Sequence, residues 1–200
     1  MSTRQRVLDL LRGPQASRIR FTFPFFAGTV AISPVSFRHV AAAIESGKIQ
    51  IEVTNAFRPG VAGEYVSGTP NKLRIKPIHG RVEEGLLLHE CTHAIFDLTL
   101  THVNANDDEA ASYVVDALYF RMTGLRRPRW NAEPHATAGA VADALLRNYA
   151  VGTPGIPAID AASWSNLKAT IMLHPVYNTP ITQPAGLLGS LLGGEYPHDG

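Results

Sequence analysis

Residues 86–97 read LLLHECTHAIFD. A run this apolar belongs in a protein core, yet it carries His89, Glu90, His93 and Asp97. On a helix of about 3.6 residues per turn, His89 and His93 stand one turn apart on one face, and Glu90 is rotated about 100° to its edge. Two imidazoles so placed suit a metal ion, and the carboxylate beside them suits a base. The pattern H-E-x-x-H is complete in these three residues.

The surroundings strengthen that reading. RVEEGLLLHECTHAIFDLTL predicts one long helix, with Glu83 and Glu84 placed for its positive N-terminal end. A second helix, DDEAASYVVDALYFRMTG, is expected to start near Asn106 or Asp107 and to close at Gly124. Zinc in a catalytic site takes three protein ligands and leaves a fourth position to water, whose pKa falls to about 7. A third ligand must therefore come from another element. Glu109 is the choice, because it opens a helix able to lie antiparallel to the first, with Ala110 and Ala111 permitting close approach. Asp107 and Asp108 compete for the same role. Glu90, next to the bound water, takes a proton during attack and returns it to a leaving amine. Cys91 points away from the histidine face and reads as packing. His39, His79, His102, His174 and His198 have no comparable spacing.

HECTHAIFDL resembles the active-site helix of thermolysin-like and other gluzincin metallopeptidases, which share H-E-x-T-H-A followed by an aspartate. DDEAAS is similar to the N-E-A-x-S segment that supplies those enzymes with a glutamate ligand. The resemblance covers about 35 of the 200 residues. It implies zinc on His89, His93 and Glu109, with Glu90 catalytic, in a minimal zincin. It also implies that Asp97 is either a structural carboxylate or a support beside the metal. Glu109 follows His93 by 16 positions, a shorter interval than in thermolysin-like enzymes, and Tyr113 stands where they have an aspartate. Support for a ligating histidine is then expected from Asp116 or Asp97. A metzincin is disfavoured, since Phe96 and Thr99 occupy the positions of that group's glycine and third histidine.

The remainder of the chain predicts an α+β fold in a single domain over 1–200. Residues 1–79 read as mainly sheet with one or two helices, 80–174 as metal-binding helices and a helical lobe, and 175–200 as a tail. After a helix at 3–12, strand formers dominate 18–32. SPVSFRHVAAAIESG then begins with a capping Ser33 and Pro34, and ends at Gly47. KIQIEVTNAF (48–57) and NKLRIKP (71–77) alternate with period two around a glycine-rich connection containing GEYVSG, which predicts a small antiparallel or mixed sheet packed on the metal helix. NKLRIKP is the expected edge strand for an extended substrate. Further helices are expected at about 135–150 and 160–174, the latter capped by Asp160 and stopped at His174 and Pro175, with a loop or hinge at 152–158. For the donor at a developing oxyanion the candidates are Tyr113, His135 and Tyr149.

Composition narrows the partners. Eighteen basic and seventeen acidic side chains leave a formal charge of +1, with no overall bias toward nucleic acid or anionic membranes. The basic run GLRRPRW at 124–130 reads as a solvated loop. One cysteine excludes an intrachain disulfide framework. FPFFAGTVAIS is too short to span a bilayer, and the opening MSTRQRVLDLLRGPQ lacks a signal-peptide core. Cytoplasm is the default compartment, with a dedicated secretion route still open. The expected activity is zinc-dependent hydrolysis of peptide bonds in a peptide or protein substrate, endopeptidase before exopeptidase. Two rivals stand beside it: a noncatalytic zincin-like binding or regulatory protein with a structural metal, and a toxin or effector protease acting on one protein.

Overall fold

Local signals set most of the element boundaries. Ser2 accepts a hydrogen bond from the Gln5 amide and opens α1, Thr3–Arg12. Ser33 and Ser36 cap α2, Pro34–Glu45, which starts on a proline and is followed by Gly47 at φ +77°. The computed structural model describes residues 1–26, 28–57, 61–125, 132–150 and 155–174. Most of the basic run at 124–130, the loop residues 152–154 and the whole tail at 175–200 lie outside the described residues.

The architecture is α+β. Strands β1, Phe21–Phe25, and β2, Gly28–Ile32, form an antiparallel hairpin. A second sheet holds β3, Ile49–Val53, β4, Gly63–Val66, and β5, Asn71–Ile75, in the order β3-β5-β4. It is mixed, since β5 runs parallel to β3 and antiparallel to β4. Four helices follow: α3, Arg81–Leu98; α4, Ala105–Thr123; α5, His135–Ala150; and α6, Ala161–Leu173. None of the described helices is long and apolar enough to cross a membrane.

The sheet corrects one expectation. NKLRIKP is the middle strand, and the edges are β3 and β4, the latter from the segment read as a connection. Glycine on both sides of EYV conceals a strand of four residues, but its alternation is regular: Gly63 and Tyr65 are buried, whereas Glu64 and Val66 are half-buried. Folding β4 back on β5 lets β5 slide in beside β3, which makes that pair parallel.

Buried apolar residues form one cluster, from Val7 on α1 to Ile171 on α6, and α3 runs through it. Every residue from Leu87 to Phe96 is buried, so α3 has no solvent face along its middle. Against it α4 packs antiparallel: Gly85 lies opposite Phe120, His89 opposite Asp116 and His93 opposite Asp108. The approach is close because Gly85 has no side chain. A Cβ there falls 2.2 Å from Cε1 of Phe120.

The C-terminal end of α3 carries local strain. Thr101 donates its amide to the Phe96 carbonyl (2.9 Å), Leu100 donates to Asp97 (3.1 Å), and Leu100 sits at φ +51°. This left-handed position usually takes glycine. Leu100 is 77% exposed and gains little from packing. Leu100→Gly is expected to raise unfolding free energy by about 0.5–1 kcal/mol, the relief of left-handed strain less glycine's extra chain entropy. Urea denaturation measures this, and an unchanged or lower midpoint counts against the strain.

Candidate metal centre

The α3–α4 interface brings together side chains 16 and 20 positions apart in sequence. His89, His93 and Glu109 are 1%, 7% and 3% exposed, and one ligand atom from each lies within 4.8 Å of the other two. His89 Nε2 is 3.6 Å from one Glu109 oxygen, and His93 Nε2 is 3.9 Å from the other. Donors about 3.3–3.6 Å apart surround a tetrahedral zinc with bonds of about 2.0–2.2 Å, so the trio, whose donors lie within 4.8 Å of one another, draws inward for a single Glu109 oxygen to serve beside both imidazoles. Two imidazoles and a carboxylate are also the right donor chemistry. The residues present fit a zinc ion.

Both histidines are aimed from behind. Asp108 Oδ1 lies 2.7 Å from His93 Nδ1, and Asp116 Oδ2 lies 3.5 Å from His89 Nδ1. A carboxylate at Nδ1 favours the tautomer that presents Nε2 to a metal and makes that nitrogen a better donor. The rings continue in a line: His89 stands edge-on to His93 and to Tyr113, each at 5.2 Å, and Tyr113 meets His135 at 5.1 Å. Burial of the His89 imidazole disfavours its charged form, but Asp116 and Glu109, helped by the charge of Glu90, outweigh that penalty. Its pKa therefore stands well above the usual 6.5.

Glu90 faces the sheet. The Tyr65 amide on β4 donates to its Oε2 at 3.1 Å. Gly63, two residues earlier on β4, leaves room for the same side chain: a Cβ there falls 2.8 Å from Glu90 Cγ and 3.0 Å from Oε1. Two helical turns along α3, the Tyr65 hydroxyl donates to Asp97 Oδ2 at 2.6 Å, and Asn71 Nδ2 donates to Asp97 at 2.8 Å and to the Tyr65 oxygen at 2.6 Å. One tyrosine thus fixes β4 to α3 at both Glu90 and Asp97. A narrow cleft lined by Ala62, Gly63, Leu86, Leu87 and Glu90 runs along this seam.

The sequence-based assignments divide accordingly. His89, His93 and Glu109 come together and Asp116 supports His89, whereas the Glu90 carboxylate is held against β4 and reaches His89 through its charge. Asp108 supports His93 through Nδ1, and Asp107 turns the other way, toward Trp164 and Lys168. Of the two roles expected for Asp97, the structural one is found, in the link to Tyr65 and Asn71. Tyr113 is fully buried beside His89, and His135 is half-buried at the start of α5. Tyr149 is a correction: its hydroxyl donates to the Arg20 carbonyl and accepts from the Arg20 amide, so it is committed to the backbone beside β1. Cys91 is fully buried, and burial raises its thiol pKa, as packing requires. Tyr65, Gly63 and Asn71 escaped the sequence reading. Gly63 and Tyr65 stand there only within the glycine-flanked GEYVSG, and Asn71 only as the first residue of NKLRIKP.

Two outcomes follow for the purified protein. Zinc is expected at one ion per chain, lost in His93→Ala and weakened or lost in Glu109→Ala, by elemental analysis. In the zinc-free protein the raised His89 pKa contributes stability that is fully present below about pH 6.5 and lost as pH rises through the folded-state value. The denaturation midpoint in chelator is therefore expected to fall on going to alkaline pH, and less so in His89→Gln. A profile identical in both proteins would remove His89 as the cause.

Comparison of the chain with protein-family models, with curated proteins and with solved structures gives no match in any of the three. The chemistry of the centre rests on its own residues, and these are a buried His89, His93 and Glu109 group able to bind a metal ion.

Proposed function

We propose that this protein is a zinc-dependent peptidase of gluzincin type with a zincin-like arrangement of sheet and metal helix, hydrolysing peptide bonds with Glu90 as general base. One observation carries the reading: three buried metal-type donors converge across α3 and α4, while a fourth side chain, Glu90, sits beside them but is held by the sheet. A carboxylate adjacent to a metal site and directed away from ligation is what proton transfer needs.

His89 and His93 from α3 and Glu109 from α4 are the residues to hold the ion, with Asp116 and Asp108 orienting the imidazoles. When bound, zinc supplies Lewis-acid chemistry, polarising a carbonyl and acidifying water at neutral pH. Glu90 takes the proton of the attacking water and delivers it to the leaving amine, which makes it base and then acid in one turnover. The Tyr65 amide holds Oε2 and limits the rotation of that carboxylate. As an edge strand of its sheet, β4 offers an extended peptide its outward backbone groups other than the Tyr65 amide, which Glu90 takes. Of the three oxyanion-donor candidates, His135 keeps the best claim, since it is half-buried and meets edge-on the tyrosine that touches His89.

A second reading has one observation in its favour. Glu90 is only 2% exposed, which suits a noncatalytic zincin-like protein whose metal stabilises the fold. Glu90→Gln separates the two. For a peptidase it is expected to retain zinc and lose about 10² to 10⁴-fold in rate on a peptide library. Zinc-loaded wild type without any cleavage, combined with a large drop in melting temperature on chelation, would favour the structural metal. Gly63→Ala tests the same geometry from the sheet side, since the added methyl meets Glu90 and not the ligands. Its expected result is full zinc content with a rate reduced at least tenfold, a loss that displacement of a catalytic group by about an ångström readily produces.

A further inference from the structure

Three consecutive acidic residues at the start of α4 serve three different neighbours. Glu109 faces the two histidines, Asp108 reaches His93 Nδ1, and Asp107 faces α6. Asp107 is 2% exposed, and its Oδ1 accepts from Trp164 Nε1 and from Lys168 Nζ, each at 2.7 Å. Its Oδ2 accepts from Asn104 Nδ2 at 2.6 Å, and its amide donates to Asn104 Oδ1 at 2.9 Å. Trp164 is 1% exposed and stacks on Phe23 of β1, ring centroids 4.4 Å apart.

A buried carboxylate that takes an ammonium and an indole N–H is an uneconomical way to attach a helix. Well-packed apolar residues attach one at least as firmly, because desolvating the charges offsets most of their attraction. What the charged contact adds is direction. The first turn of a helix has amides without intrahelical partners and frays most easily, and here that turn carries Asp108, the support of a histidine, with the metal-type donor Glu109 immediately after it. Successive helical side chains point about 100° apart, so fixing the direction of Asp107 fixes those of Asp108 and Glu109.

We infer that Asp107, Trp164 and Lys168 are positioning residues for the metal centre: α6, more than 50 positions beyond Glu109, holds the first turn of α4 in the orientation that brings Glu109 to His89 and His93. The inference rests on the metal reading above and adds to it a dependence of metal affinity on α6.

The test uses the full-length chain in three variants. Trp164→Phe keeps an aromatic ring on Phe23 and deletes the N–H donor. Lys168→Met deletes the ammonium at a side chain 28% exposed, where disruption of the core is least. Lys168→Arg conserves the charge. Zinc affinity is measured by competition with a chromogenic chelator, and the ligand field by the visible absorption bands of the cobalt(II)-substituted protein. Trp164→Phe and Lys168→Met are each expected to weaken zinc binding by about tenfold, the lower end of the loss seen when supports behind metal ligands are removed. Both are expected to shift the cobalt bands, and Lys168→Arg to restore wild-type values. Folded variants with wild-type affinity and wild-type cobalt spectra would overturn the inference, even if their melting temperatures fall, because a merely structural contact changes stability alone. Should Trp164→Phe fail to fold, Lys168→Met decides. Wild-type protein that takes up neither metal overturns the metal reading itself, a result distinct from variants that bind as tightly as wild type.

Discussion

Ionisable side chains buried between two closely packed helices constrain everything else in this molecule. His89, Glu90 and His93 on α3, and Asp107, Glu109 and Asp116 on α4, are each at most 7% exposed. Desolvating such groups costs several kcal/mol apiece unless each is answered by an opposite charge or a hydrogen bond. The fold meets that condition locally. Asp116 and Asp108 lie behind the imidazoles, the Tyr65 amide holds Glu90, and Lys168 with Trp164 holds Asp107. Each partner lies on a different element from the group it answers, so the polar centre ties α3, α4, β4 and α6 together.

Close approach of α3 and α4 is the geometric counterpart. Gly85 under the Phe120 ring, with Ala110 and Ala111 fully buried on α4, lets the backbones come near enough for side chains as short as Asp108 and Asp116 to reach the histidines. Larger residues at these positions would separate the helices, and the donor atoms with them. A metal ion in the centre adds to an arrangement already made by packing. The same logic explains the sheet. Gly63 is small because Glu90 needs the space, and Tyr65 is long because its hydroxyl must reach Asp97 two turns along the helix.

The noncatalytic and catalytic readings share this whole framework and differ only in what Glu90 does. A carboxylate beside three metal-type donors, held by a backbone amide at the free edge of a sheet, has the surroundings of a base. Its low exposure, 2%, is equally what a structural carboxylate would show.

Much of the centre was legible in the sequence, since helical periodicity is a local property. Spacing of four put His89 and His93 on one face, and the asparagine- and aspartate-rich start of α4 marked a helix able to bring Glu109 and Asp116 across. Capping residues likewise set α1, α2 and α6. Tertiary structure decided what depends on register between distant segments. That β5 lies in the middle and β4 at an edge follows from β4 pairing antiparallel with β5, which no periodicity encodes. Asp107, Asp108 and Glu109 are chemically similar neighbours, and only the directions imposed by α3 and α6 give them three separate tasks. Tyr149 read as a possible donor because a tyrosine's partner depends on which segment packs against it, and here that segment is the backbone at Arg20. Local chemistry follows from neighbours along the chain, while the choice among equivalent side chains follows from neighbours in space.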